Sequence, residues 1–225
     1  LYTKKPVRSP ADLKGQKVRM MGKPLFVDTM NAMGGNGISM SYTEVYSALQ
    51  TGVVDGAERV VLVTDPGVRG AGLVDRVVAG LAAEVTVYDA VQPEPPYHLA
   101  EECAALLSER GAQAVIGLGG GSSLDTAKMA AALARNPGSV GDYWGLDRLR
   151  QKGLPVVAIP TTAGTSSEIS AAAVVGDPAA GAKRGVNSNL LLPTVAIMDP
   201  VLTLGLPPAL TASTGMDALT HAIEA

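Results

Sequence analysis

Ala114-Val115-Ile116-Gly117-Leu118-Gly119-Gly120-Gly121-Ser122-Ser123-Leu124-Asp125-Thr126-Ala127-Lys128 is the stretch whose reading decides the fold. An apolar strand candidate, residues 114–116, runs into a glycine turn. An alanine-rich stretch with helical character, residues 126–135, runs out of it. Glycines let a backbone approach a ligand closely, and the free N–H groups and dipole of a helix start attract an anion. The same order of residues also makes a plain tight turn that binds nothing. The neighbouring segments have to separate a phosphate cradle from a structural turn.

Upstream, Val60-Val61-Leu62-Val63-Thr64 is a continuous apolar run, the mark of a strand buried on both faces. Asp65-Pro66-Gly67 turns the chain, and Val74, Val77, Val78 and Leu81 recur at helical spacing over residues 73–81. Val85-Thr86-Val87-Tyr88 is the next strand, Pro93 to Pro96 a stiff connection, and Leu99, Cys103, Leu106 and Leu107 stripe another helix. Three strand–helix alternations predict a parallel sheet covered on both faces, whose ligands bind at the carboxyl ends of the strands. Asp65 and residues 119–122 both fall there. Asp65 has two readings, a carboxylate for a ribose hydroxyl or the first residue of an Asp-Pro-Gly turn. On the first, its charge repels a 2′-phosphate and favours NAD over NADP.

Downstream, Pro155-Val156-Val157-Ala158-Ile159-Pro160 is a strand, and Thr161-Thr162-Ala163-Gly164-Thr165-Ser166-Ser167-Glu168 leaves it with five hydroxyls. Those hydroxyls suit a pyrophosphate or ribose and equally an ordinary polar loop. Residues 174–187 read as an irregular hairpin carrying Lys183, and residues 195–199 as a short strand. Pro207-Pro208 precede a helix in which Asp217 and His221 stand four apart, on one face. A carboxylate and an imidazole at that spacing either chelate a divalent metal or form a solvated pair, and a stable site asks for a third protein ligand.

Composition sets the bounds. The chain has 225 residues, 47% of them hydrophobic and 17% charged, enough for a sizeable core. A net charge of -3 offers no basic face for nucleic acid. The single cysteine, Cys103, excludes an intramolecular disulfide. No apolar run approaches the ~20 residues of a membrane span, so membrane insertion is not expected.

Residues 1–58 follow a different pattern. Lys17-Val18-Arg19-Met20 predicts a strand, residues 26–33 a helix, and Ser41-Tyr42-Thr43-Glu44 a capping box opening another helix that ends near Asp55-Gly56. Pro10-Ala11-Asp12-Leu13-Lys14-Gly15-Gln16-Lys17-Val18-Arg19, with residues 40–58 (Met40-Ser41-Tyr42-Thr43-Glu44-Val45 through Asp55-Gly56-Ala57-Glu58), resembles the substrate-binding receptors of TRAP transporters, periplasmic proteins that clamp small organic acids. The resemblance implies that Arg19 grips a ligand carboxylate and that Tyr42 is an aromatic ligand contact. Read from the residues alone, without an opposing lobe, Arg19 is an exposed strand arginine. The receptor pattern breaks off at Glu58/Arg59 with no Pro/Ser/Gly-rich spacer. A chimera joined there is expected, with residues 1–58 a small α/β fragment.

Residues 59–225 carry a second resemblance. Residues 119–128 with Gly119-Gly120-Gly121-Ser122, Ile159-Pro160-Thr161-Thr162-Ala163-Gly164-Thr165-Ser166-Ser167-Glu168, and Gly215-Met216-Asp217-Ala218-Leu219-Thr220-His221-Ala222-Ile223-Glu224-Ala225 closely resemble the iron-containing (group III) alcohol dehydrogenases. That implies a parallel-sheet α/β dinucleotide-binding domain over residues 59–207 and the truncated start of an all-helical metal-binding domain over residues 208–225. It implies that Asp65 contacts the adenosine ribose, that Gly119, Gly120, Gly121, Ser122 and Asp125 form the pyrophosphate loop, that Thr161, Thr162 and Thr165 line the cofactor, and that Lys183 bonds its ribose. Asp217 and His221 would be the first two ligands of Fe2+, or of Zn2+, and a small alcohol or aldehyde the substrate. Glu94 departs from the asparagine many members carry. The implied setting is cytoplasmic for the dehydrogenase part, as a possible homo-oligomer. The family's two further metal-binding histidines would lie beyond Ala225, so this chain is expected not to turn over alcohol alone. A maleylacetate-reductase-like enzyme is the competing member of the same class, and an organic-acid receptor the competitor from another.

Overall fold

The computed structural model describes residues 17–20, 36–39 and 57–224. The chain divides into two compact units, Leu1–Leu49 and Gln50–Ala225. In the first, β1 (Lys17–Met20) pairs in parallel with β2 (Asn36–Ser39), Arg19 standing opposite Ile38. The strand over residues 17–20 is where the sequence predicts it; β2 is additional. The expected helices over residues 26–33 and 41–55, and Tyr42 with them, lie outside the described residues.

In the second unit, β3 (Arg59–Val63), β4 (Glu84–Tyr88), β5 (Ala114–Gly119), β7 (Val156–Pro160) and β10 (Val195–Ala196) form one sheet in the order β10-β7-β5-β3-β4, every pairing parallel. Its middle strands are buried almost throughout because their residues are Val, Ile, Leu and small residues with no polar face to turn outward. The helices α1 (Pro66–Gly70), α2 (Leu73–Val78), α3 (Tyr97–Glu109) and α4 (Gly121–Leu133) belong to the crossovers. The predicted stripe on α3 is buried at Leu99, Cys103 and Leu107, with Leu106 half-buried beside them.

Helix α4 is buried on every side from Ser123 to Ala132. Its alanines explain how. Ala127, Ala130 and Ala131 meet Val61, Val63 and Val115 of the parallel sheet, together with Cys103 and Leu107 of α3. Met129 and Ala132 instead join Ala173, Val175 and Val186 of a second sheet. That three-stranded sheet has the order β6-β9-β8, from β6 (Gly145–Leu146), β8 (Ala172–Asp177) and β9 (Ala182–Asn187), and β8–β9 is the predicted hairpin. Small side chains let a helix sit between two sheets at close range, and the packed volume supplies the stabilisation.

Three local expectations need amending. Asp65-Pro66-Gly67 is more than a turn: Asp65 caps α1 and Pro66 is its first residue, the pairing that starts helices. Helix α4 begins at Gly121, within the glycine run, because burial outweighs glycine's poor propensity. The strand expected over residues 195–199 stops at Ala196, and Asp199 then caps a one-turn 3-10 helix, Pro200–Thr203. The last helix, α5 (Pro208–Glu224), starts at the predicted proline but has no buried residue and exposes Leu210, Met216, Leu219 and Ile223. No helix among the described residues is long and apolar enough to cross a membrane.

Candidate dinucleotide site

The glycine turn closes β5 and opens α4 at the carboxyl edge of the parallel sheet. Gly119 has φ 149, a conformation that side-chain-bearing residues avoid, and a Cβ there would stand 2.6 Å from Ser123 Oγ and 3.1 Å from Asp65 Oδ2. Gly121 is confined from the other side, where a Cβ would meet Thr165 Cγ2 at 2.9 Å. No side chain of the described residues caps α4, and Leu124 N–H, donating to the Gly120 carbonyl at 3.1 Å, begins the helical ladder. Gly121 and Ser122, whose N–H groups belong to the first turn at the positive end of the dipole, are both partly exposed.

The other expected cofactor residues gather round this turn. Asp65 follows β3, the strand next to β5. Its Oδ1 accepts from Val68 N–H at 3.0 Å and its Oδ2 from Ser123 Oγ at 3.3 Å. The two readings of Asp65 are therefore compatible, since the cap occupies one oxygen and a single long hydroxyl contact the other. Thr161 N–H donates to the Gly119 carbonyl at 2.9 Å, which fastens the hydroxyl-rich loop beside the turn. Thr161 is buried, Thr162 half-buried and Thr165 exposed. The structure brings together Asp65, Gly119, Gly120, Gly121, Ser122, Thr161, Thr162 and Thr165.

Asp125 and Lys183 are placed differently. Asp125 turns inward: Oδ1 accepts from Ser167 Oγ at 2.5 Å and Oδ2 from Val174 N–H at 2.9 Å, while Lys128 Nζ lies 3.0 Å from Oδ1. Both oxygens are engaged inside the protein. Lys128 is the residue that sequence reasoning missed. Its ammonium is fully buried and also donates to the Ser167 carbonyl at 2.9 Å and to the Ala172 carbonyl. Burial pushes its pKa down, and Asp125 pulls the other way. Lys183, on β9, pairs with Glu94 Oε1 at 2.8 Å, both side chains largely exposed. Glu94 has φ 53, a left-handed backbone better suited to asparagine or glycine.

Helix α5 reaches the site through its backbone, for a Cβ on Gly164 would stand 2.6 Å from the Thr214 carbonyl oxygen. Over the next two turns, His221 Nε2 lies 3.7 Å from Asp217 Oδ1, and both side chains are substantially exposed. The donor types suit a divalent metal, but they are two. Among the described residues no cluster of three or more His, Cys, Asp and Glu is placed to hold one. Glycines without side chains at an uncapped helix start suit a phosphate group; the Asp217–His221 pair does not by itself make a complete metal site.

The pattern of the family described as iron-containing alcohol dehydrogenase matches residues 42–200, and that of bacterial extracellular solute-binding protein, family 7, matches residues 1–67. Long-chain-alcohol dehydrogenase 1 of Geobacillus thermodenitrificans (strain NG80-2) is 47% identical over 176 residues, covering 76% of this chain and 44% of the relative. A solved 1,3-propanediol oxidoreductase is 36% identical with a TM-score of 0.75, over 80% of this chain and 47% of its own. Sulfoacetaldehyde reductase from Bifidobacterium kashiwanohense, solved in complex with NAD+, is 31% identical with a TM-score of 0.73, over 94% of this chain and 51% of its own. The chain spans about half the length of the relatives it matches.

Proposed function

The chain belongs to the iron-containing alcohol dehydrogenase family, and on that premise we propose that residues 59–207 are the dinucleotide-binding part of an NAD-linked, metal-dependent alcohol dehydrogenase. One observation carries the reading: the uncapped start of α4, Asp65 and the 161–165 loop converge at the carboxyl edge of one parallel sheet.

In this reading the N–H groups at Gly121 and Ser122 hold the pyrophosphate, while Gly119 and Gly121 keep side chains out of its way. The free edge of Asp65 accepts from the adenosine ribose hydroxyls and its charge disfavours a 2′-phosphate, so NAD is preferred to NADP. Thr162 and Thr165 hydroxyls fix the nicotinamide half, and Lys183 exchanges Glu94 for a ribose oxygen. Bound NAD supplies the acceptor for hydride from an alcohol, or the donor to an aldehyde. Asp217 and His221 contribute two donors to a metal, iron or zinc, which requires further ligands. The 225-residue chain on its own is therefore a cofactor binder without alcohol turnover.

Calorimetric titration tests this. Heat with NAD, weaker heat with NADP, and no chelator-sensitive reduction of NAD by ethanol or butanol are expected. No heat with NAD would refute the reading. A second reading, organic-acid binding through Arg19, rests on the solute-binding-protein match over residues 1–67 and predicts heat with a dicarboxylate instead.

A further inference from the structure

A lysine whose ammonium is fully buried in a helix lined with alanines calls for a reason, since burying a charge is unfavourable unless partners replace water. Here four oxygens surround it. Lys128 Nζ lies 2.9 Å from the Ser167 carbonyl, 3.4 Å from Ser170 Oγ, 3.0 Å from Asp125 Oδ1 and within bonding distance of the Ala172 carbonyl. Asp125 adds its own bonds to Ser167 Oγ and Val174 N–H. Every partner beyond the pair itself lies in residues 167–174, the segment that continues the 161–165 loop into β8. Immediately before that segment stands Ser166, at φ 54, a left-handed backbone that persists only where its surroundings fix it.

We propose that Asp125 and Lys128 are positioning residues for the cofactor loop. One turn behind the glycine cradle, the pair acts as a built-in cation site that clamps Ser167, Ser170 and Ala172 to α4. This holds Thr162 and Thr165 over Gly120 and Gly121, where the glycines leave them room. The pair therefore serves the cofactor without touching it. This assignment rests on the dinucleotide reading for its consequence, though not for the clamp itself.

The test compares three variants of the 225-residue chain. Lys128→Met removes the ammonium while keeping the length of the side chain, and Asp125→Asn drops the charge and keeps the shape. Asn136→Ala is the control: Asn136 is also buried, and its bonds to Ala132, Arg150 and Gln151 lie at the far end of α4. Urea unfolding ranks their stabilities. Amide hydrogen exchange of residues 161–172, without cofactor, and NADH fluorescence titration are then read under conditions where each is folded. Lys128→Met and Asp125→Asn should each speed exchange in that loop and weaken NADH by about tenfold, the scale of a lost charged hydrogen bond. Asn136→Ala should leave both within about twofold even when it is as destabilised, since distant sites act independently. Unchanged loop exchange in both pair variants, or the same loop effects in Asn136→Ala, would overturn the proposal. If Lys128→Met does not fold, Asp125→Asn decides alone. Faster loop exchange in the two pair variants, together with a parent chain that never binds NADH, would retain the clamp and sink the dinucleotide reading.

Discussion

Gly119 meets two demands at once, a backbone conformation at φ 149 and the close presence of Ser123 and Asp65. Gly119→Ala should cost about 1–3 kcal/mol in urea unfolding, the range for a strained backbone forced on a side-chain-bearing residue, and should weaken NAD binding further. Cys103 offers a test by pH. Burial in the α3 core pushes its thiol up to about 12. Between the unfolded pKa near 8.5 and that value, the unfolded chain gives up a proton that the folded chain keeps. The stability is therefore complete below about pH 8 and falls as pH rises, by about 1.4 kcal/mol per unit from this group. Burial lifts the Tyr88 phenol above its ordinary range in the same direction. Urea midpoints from pH 7 to 10 should fall, and Cys103→Ala should flatten the lower part of the decline. The glycine run, Asp65 and the hydroxyl loop were legible because their chemistry is local. Lys128 was not: a lysine reads as a solvent residue, and only the segment folding back from residue 167 supplies the oxygens that admit it.

At the scale of elements, strands and crossovers were legible from unbroken Val/Ile/Leu runs and from the four-residue spacing of Leu99, Cys103 and Leu107. The start of α4 was not, because glycine's propensity argues against a helix that tertiary packing enforces. Truncating the shared core tests that packing. Leu107→Ala, buried between α3 and α4, should cost about 2–5 kcal/mol, measured by urea unfolding. Helix α5 gives the opposite expectation. Its Asp217–His221 pair is exposed, so His221→Ala should change stability by less than about 0.5 kcal/mol. A large loss there would mean that α5 is packed in solution in a way its exposed residues do not suggest.

The whole molecule joins two patterns whose boundary the sequence places after Glu58. The structure already draws Glu58 into the second unit: its carbonyl accepts from Glu84 N–H at 2.8 Å, and its N–H, like that of Arg59, donates to Gln113 Oε1. The compact units divide earlier, between Leu49 and Gln50, and the two family patterns overlap over residues 42–67. A change of residue dialect is visible in a sequence. The point at which backbone begins to pair with a neighbouring strand is not, because that depends on Gln113 and Glu84, far along the chain. Cofactor binding is the step on which the dehydrogenase assignment depends. The most direct measurement is fluorescence titration of the 225-residue chain with NADH. Saturable binding of one NADH per chain, weaker binding of NADPH, and loss of the signal in Gly119→Ala are expected. A linear, unsaturable response to NADH up to about the millimolar range, the weak end of specific binding, would contradict it.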